Sequence, residues 1–360
     1  MKKLLLLIML LSLVFTLTAC GGDTPVDPEI PGETPGETPD EPEEPACEHE
    51  FVEIARTEAM PLKDGVTVSK CSLCDEEKTD VHTPMTKKLK VLAIGNSHSE
   101  NAVHDLWDVC NSAGMSNIIV GNAVIGGSGL ADHGSAMLFD SPTYTYKKYT
   151  GVSKKDVSEE NVKISRALTD EKWDVVVIQQ RSQYVKDATF DLLPKVIEVI
   201  QKKCPTAKIY WHITWAFENI ENFSSASIKN DFIQNFGGDS TVMYEAIIDS
   251  LKRNVLPNEN IEVVIPAATA LQNLRTSYVG ETLTRDGVHT NPGMARYTVA
   301  LTWYSFLTGG SLDSVKWYPS SDEQKTEILS NYDAIREAVE NAIETPYAVT
   351  ASKYTVAPWS

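Results

Sequence analysis

The sequence predicts an α/β protein: a three-layer α/β/α sandwich around a mainly parallel five-stranded sheet, preceded by a small β-rich, metal-binding module. Short apolar runs rich in β-branched residues recur at 90–95, 117–124, 174–180, 208–214 and 262–265, each the length of a buried parallel strand. Helix-like stretches fall between and after them, at 100–113, 190–203, 242–254, 292–307 and 323–343, the alternation expected when crossover helices cover a parallel sheet. Residues 46–82 break this pattern: the segment is too short to build much core and gathers cysteine and histidine instead.

The N-terminus, "MKKLLLLIMLLSLVFTLTAC", has two lysines, an apolar run too short and too early for a membrane span, and small residues before Cys20. Residues 1–20 therefore read as a secretory signal. The ending Leu17-Thr18-Ala19-Cys20, followed by two glycines, resembles a bacterial lipoprotein signal. That resemblance implies lipid on Cys20, holding the protein at the extracellular face of the bacterial cell membrane with no spanning helix. Residues 21–45 are rich in Pro, Glu and Asp and contain no Lys or Arg, the composition of a disordered, semi-extended tether. Its nine carboxylates, from Asp23 to Glu44, account for half of the formal charge of −18. The acidity belongs largely to this stalk, and no basic surface for nucleic acid is expected.

In the module over 46–82, Cys47 and His49 are two apart and point the same way on a strand, while Cys71 and Cys74 form a C-x-x-C knuckle. Four such ligands suit a closed tetrahedral structural zinc site, which would supply the stability that a small core lacks. The alternative outside the cytoplasm is a disulfide from Cys47, which leaves one thiol over and His49 idle. The segment resembles short C-x-H…C-x-x-C modules found beside cell-surface domains of Gram-positive bacteria, which implies a spacer or adaptor rather than catalysis.

The large domain is expected over 88–345. In such folds ligands gather at the carboxyl ends of the strands, and three patches fall there. In "KVLAIGNSHSENAV", Ser97 follows the first strand and opens a helix; alone, Gly95-Asn96-Ser97 is equally ordinary turn and N-cap chemistry. In "TRDGVHTNPGMARY", Asp286 and His289 are three apart, so a carboxylate can hold an imidazole that takes a proton from a hydroxyl; the alternative is a loop histidine capping the helix near Pro292. In "GNAVIGGSGLADH", Gly126 and Gly127 let backbone approach a ligand and offer an N–H to a developing oxyanion, or simply supply positive φ.

Taken together, these blocks resemble the SGNH (GDSL-type) hydrolase superfamily over roughly residues 88–310. The resemblance implies its flavodoxin-like fold, with Ser97 as nucleophile, Asp286 and His289 completing a triad, and the Ser97 and Gly127 N–H groups as oxyanion donors. "IGNSHS", "IGGSGLADH", "VVVIQQRS", "WHITWAF", "IPAATALQNLR" and "DGVHTNPGMARY" look like an uncharacterised bacterial branch of that superfamily. Two departures stand out. Asn96 occupies the place of the founding Asp, and "VVVIQQRSQY" replaces the usual Gly-x-Asn-Asp. Gln180 carries an amide like the missing Asn; Ser182 and Gln183 are also placed to donate, and Gln179 and Gln180 otherwise only end a strand.

The implied activity is that of a secreted, surface-anchored serine esterase cleaving short acyl, foremost O-acetyl, esters on carbohydrate or small molecules. Its chemistry uses no cofactor, and zinc, if held by the module, is structural. The alternative class is a lipoprotein that binds glycan or a partner on a hydrolase-like fold without turnover. Of the remaining residues, His133 is a candidate pocket residue and Trp215 is core or a glycan-stacking platform. Cys110 and Cys204 are expected as buried thiols, and His98 points away from Ser97. The sequence assigns neither an oligomeric state nor a role for the tail, 346–360.

Overall fold

The structure is a computed structural model that describes residues 47–84, 88–115, 117–151 and 154–358. The expected signal, lipidated Cys20 and tether lie outside the described residues. From His49 onward the chain is one compact unit. It opens with β1 (Phe51–Thr57), β2 (Gly65–Cys71) and β3 (Glu77–His82), an antiparallel sheet in that order. Next come the five strands read from the sequence: β4 (Lys88–Gly95), β5 (Asn117–Val124), β8 (Val175–Gln179), β9 (Lys208–His212) and β10 (Ile261–Ile265), each parallel to its neighbours in this set.

The large sheet has seven strands, not the expected five. β6 (Tyr144–Thr150) and β7 (Lys155–Val162) add antiparallel to one side, giving the order β10-β9-β8-β4-β5-β6-β7. They escaped the sequence reading because "YTYKKYT" alternates aromatic with polar residues rather than forming an apolar run. Tyr144 and Tyr146 are buried while most of the others are half exposed, the pattern of a strand near a sheet edge. The inner strands are buried on both faces, so every residue of β8 and all of β4 from Val91 to Gly95 lie in the interior.

Along the chain the helices are α1 (Ser97–Val103), α2 (Leu106–Ser112), α3 (Leu130–Phe139), α4 (Ile164–Asp170), α5 (Leu193–Lys203), α6 (Ala226–Phe236), α7 (Ser240–Asn254), α8 (Ala267–Arg275), α9 (Met294–Thr308), α10 (Asp322–Ser330) and α11 (Tyr332–Glu344). Apart from α6 and α7, where α6 meets α7 and α7 meets α8, they pack in two groups. α3, α4 and α5 touch one another, while α1 and α2 lie against α9, which in turn meets α8, α10 and α11. α9 is apolar nearly all round, with Tyr297, Val299, Ala300, Leu301, Trp303 and Tyr304 all buried, as a helix enclosed by neighbours must be.

Two segments tie the ends of the chain to this body. The Leu62 N–H between β1 and β2 donates to the Thr308 carbonyl at the end of α9 (2.8 Å), one of the carbonyls a helix terminus leaves unpaired. After α11 the tail runs along α8: Thr350 N donates to Asn273 Oδ1 (2.8 Å), Ser352 N to Thr276 Oγ1 (2.8 Å), and Tyr278 N to the Tyr354 carbonyl (2.8 Å). The tail is a strap across the helix that carries Arg275.

Candidate active site

Ser97 is placed by three neighbours acting on Asn96. β4 ends at Gly95, where an added Cβ would sit 2.6 Å from Gln179 Cδ; only glycine lets this side chain of β8 cross the strand end. Gln179 Nε2 then donates to Asn96 Oδ1 (2.9 Å), which also accepts the His98 N–H (2.8 Å) as the N-cap of α1. On its other side Asn96 Nδ2 donates to the Ser128 carbonyl (2.8 Å). An aspartate could accept the first two bonds but has no hydrogen for the third, a physical reason for Asn at this position. Ser97 becomes the first residue of α1, where an N–H has no intrahelical acceptor.

The segment Thr284–His289 brings the other two side chains. Asp286 Oδ1 accepts the Val288 (3.1 Å) and His289 (2.8 Å) N–H groups, folding the turn back on itself. Its Oδ2 meets His289 Nδ1 at 2.7 Å, and His289 Nε2 meets Ser97 Oγ at 2.8 Å. Ser97, His289 and Asp286 thus form one continuous hydrogen-bonded chain. Burial works to raise the Asp286 pKa, but the hydrogen bonds from His289 and Val288 outweigh it and hold the carboxyl below its ordinary range. Asp286 therefore stays ionised at neutral pH and keeps the proton of His289 on Nδ1.

Glu218, which the sequence reading passed over, anchors this segment. It is fully buried. Its carboxylate accepts from Leu283 N (2.9 Å), Thr284 N (2.7 Å) and Thr284 Oγ1 (2.5 Å), and pairs with buried Arg275 (3.3 Å). The Glu218 N–H donates to the Gly287 carbonyl (2.9 Å), between Asp286 and His289. Nothing in "WAFENIENF" distinguishes this glutamate from the solvated one at Glu221; only the fold does.

The glycine loop sits beside the Ser97 end of α1. Gly127 has φ +64 with open space where a Cβ would be, and among the described residues its N–H donates to no protein acceptor. Behind it, Tyr144 OH contacts His133 Nδ1 (3.1 Å), His133 Nε2 contacts Ser128 Oγ (2.8 Å), and Ser128 Oγ donates to the Ile125 carbonyl (2.8 Å). Burial drives the His133 pKa down to about 4, so this imidazole is neutral. His133 braces the loop from within and does not line an open pocket.

Several other candidates resolve in the same way. The Gln180 amide nitrogen donates to the Thr189 carbonyl (2.8 Å), and its oxygen accepts from Leu130 N (3.0 Å) and Arg181 N (2.9 Å). The side chain expected to aid an oxyanion is thus engaged in pinning the β8 end to the start of α3. Trp215 is buried, donates to the Val288 carbonyl (2.8 Å) and is core rather than a platform. His98 is buried, edge-on to Trp215 and 6.2 Å from the His289 ring centre. Burial first, then the neighbouring charges of His289, His212 and Arg181, keep its pKa well below the usual value, so no positive charge competes beneath His289. Cys110 and Cys204 are buried, and burial pushes both thiols up, Cys204 to about 11.

The Cys/His set also gathers. One donor atom each from Cys47, His49, Cys71 and Cys74 lie within 4.8 Å of one another. His49 Nδ1 is 3.4 Å from Cys74 Sγ, and its Nε2 is 3.0 Å from Glu76 Oε2. A carboxylate on the far nitrogen is the usual orienting partner of a zinc-bound imidazole.

Residues 90–335 match a domain family described as a domain of unknown function, DUF4886. The chain belongs to the DUF4886 family. It is similar to the crystal structure of a DUF4886 family protein from Bacteroides uniformis ATCC 8492, with 30% identity over 75% of this chain and 100% of that chain and a TM-score of 0.65. A GDSL-like lipase candidate from Parabacteroides merdae ATCC 43184 aligns at 12% identity over 63% of this chain and 98% of that one, TM-score 0.38. No curated protein matches the chain. The matched DUF4886 region contains Ser97, Gly127, Asp286 and His289, and it leaves out β1–β3.

Proposed function

We propose that this DUF4886 protein is a serine hydrolase of ester bonds with the flavodoxin-like SGNH fold, removing short acyl groups, O-acetyl foremost, from carbohydrate. The observation that carries the reading is the relay from Ser97 Oγ through His289 (2.8 Å) to Asp286 (2.7 Å). Serine, imidazole and carboxylate in that order are what an acyl transfer requires.

In this reading His289 Nε2 takes the Ser97 proton as Oγ bonds to the ester carbonyl carbon. The carbonyl oxygen gains the electron pair and is held by the N–H groups of Ser97 and Gly127. Collapse expels the alcohol, which takes the proton from His289 and leaves an acyl-serine. Water, deprotonated by His289, repeats the sequence and releases the carboxylic acid. Asp286 never loses its charge; it orients the ring and stabilises the imidazolium. Gln180 gives one amide hydrogen to Thr189 and accepts from Leu130 and Arg181, so its second amide hydrogen is the one left to assist the oxyanion.

The test is hydrolysis of 4-nitrophenyl acetate and an acetylated xyloside by the full chain, with peptide mapping of a fluorophosphonate label. Turnover with the label on Ser97 is the expected result; no turnover and no label on Ser97 would overturn the reading. We place this activity at the extracellular face of the bacterial cell membrane through lipid on Cys20, so it should sediment with membranes and become soluble in Cys20→Ser; unchanged partitioning refutes the anchor.

The Cys47, His49, Cys71 and Cys74 set fits a structural zinc ion: three sulfurs and one imidazole suit a closed tetrahedral site, and Glu76 would fix the ring. Bound zinc would staple the start of β1 to the β2–β3 turn. Protein purified without chelator is expected to carry one zinc per chain, lost in Cys74→Ser; metal-free wild type with intact β1–β3 would refute this.

A further inference from the structure

Beside the relay lies a second feature that the esterase reading does not use. A cavity of ≈ 200 Å³ is lined by Glu100, Asn101, Asn122, Lys147, Arg285 and Arg296, among others. Its walls come from α1, β5, β6, the Asp286 segment and the start of α9. Among the six named residues three are cations and one is an anion. Lys147 is balanced by Glu100. Arg285 leans on Asp286, with Nε 3.9 Å from Oδ2. Arg296 has Asp105 nearby but no ion pair with it among the described residues.

Among the described residues the Arg296 side chain makes no hydrogen bond and no ion pair, and its Nε is buried without a partner. Burial disfavours its charged form; nearby Asp105 opposes that effect and Arg285 adds to it. A half-buried guanidinium with no partner has lost part of its hydration, and an anion beside it offsets that loss. Two amides face the same need. Asn122 is 1% exposed, and its Nδ2 has no partner although its Oδ1 accepts from Ser99 Oγ (3.0 Å). Asn101 accepts from Thr290 Oγ1 (2.8 Å), and its own amide nitrogen donates to no protein group among the described residues. Among the described residues, Arg296, Asn101 Nδ2 and Asn122 Nδ2 are uncommitted donors here, set against the buried, unpartnered Asp105 Oδ2 as acceptor.

We propose that this cavity binds a carboxylate group carried by the acyl-bearing substrate, with Arg296 as its principal partner and Asn101 and Arg285 completing the donor set. A planar guanidinium matches a carboxylate in two parallel bonds. The position ties the anion to the substrate. Asn101 lies about one helical turn, roughly 6 Å along α1, from Ser97, and Arg285 adjoins Asp286. The preferred substrate is thus an acidic sugar ester, such as one built on a hexuronic acid, rather than a neutral one. This inference deepens the esterase reading and rests on it for the identity of the anion's carrier.

The experiment reads binding, not turnover, so that the two readings fail separately. Calorimetric titrations of the Ser97→Ala full chain with methyl glucuronoside and methyl glucoside are expected to show the acid binding at least tenfold more tightly, with the difference shrinking as salt rises. Arg296→Gln should erase the preference and Arg296→Lys should retain part of it. Equal or undetectable binding of both sugars overturns the proposal, as does a preference unchanged in Arg296→Gln. If acetate displaces the glucuronoside at matching concentration, the site is one for free anions and the substrate assignment falls. Should Arg296→Gln not fold, the acid-to-neutral ratio of the Ser97→Ala chain and its salt dependence decide the matter. Failure of the wild type to cleave any ester bears on the relay alone and leaves these titrations standing.

Discussion

Asp286→Asn is expected to fold as the wild type does and to lose about four orders of magnitude in kcat, the scale seen when the equivalent change is made in a serine protease. The geometry explains both halves. Asp286 Oδ1 accepts two backbone N–H groups, from Val288 and His289, so an asparagine keeps its oxygen there. Its NH2 must then occupy the Oδ2 position, 2.7 Å from His289 Nδ1. A donor at that point makes Nδ1 an acceptor and moves the ring proton to Nε2, which faces Ser97 and can no longer take its proton. Initial rates on a chromogenic acetate ester, with a thermal melt as control, check the expectation. A loss smaller than tenfold in a normally folded variant would mean that the carboxylate does not set the tautomer.

Glu218→Gln is expected to cost about 3–5 kcal/mol, the range for removing one member of a buried ion pair. The carboxylate receives the Leu283 N–H, the Thr284 N–H and hydroxyl, and Arg275. The amide that replaces one oxygen turns its hydrogens toward a neighbour that also donates, and buried Arg275 keeps only its second, half-exposed carboxylate partner, Glu281 (3.3 Å). Because the same side chain holds the segment bearing Asp286 and His289, kcat should fall along with the melting temperature. Chemical denaturation and steady-state rates on one preparation separate the two effects. Stability within 1 kcal/mol of wild type would show that the Glu218 bonds contribute little.

How much of this was legible in the sequence follows from where the information lay. The five central strands could be read because strands buried on both faces carry continuous apolar runs, as in Val175–Gln179. β6 and β7 could not, because strands at or next to a sheet edge that carry lysine and glutamate look like loop. Ser97, Gly127, Asp286 and His289 stood out through local spacing and block order. Their supports did not. Glu218 lies 65 positions from Leu283, to which it is bonded, and Arg296 lies 174 positions from Asn122 across the cavity. Such pairings are settled by topology, which composition and periodicity do not encode. Gln180 shows the converse: its amide chemistry was readable, but its partner Thr189 was not.

The hydroxyl and the imidazole that meet at 2.8 Å are separated by 192 positions. A ribosome therefore finishes the first half of the fold long before the base exists, and non-local closure of this kind is among the later events of folding. Until the turn after Thr284 has been synthesised and docked, the chain carries a serine with no means of ionising it. If the proposed esterase reading holds, chains that stop short of this turn should cleave no ester, a silence that arises from connectivity alone.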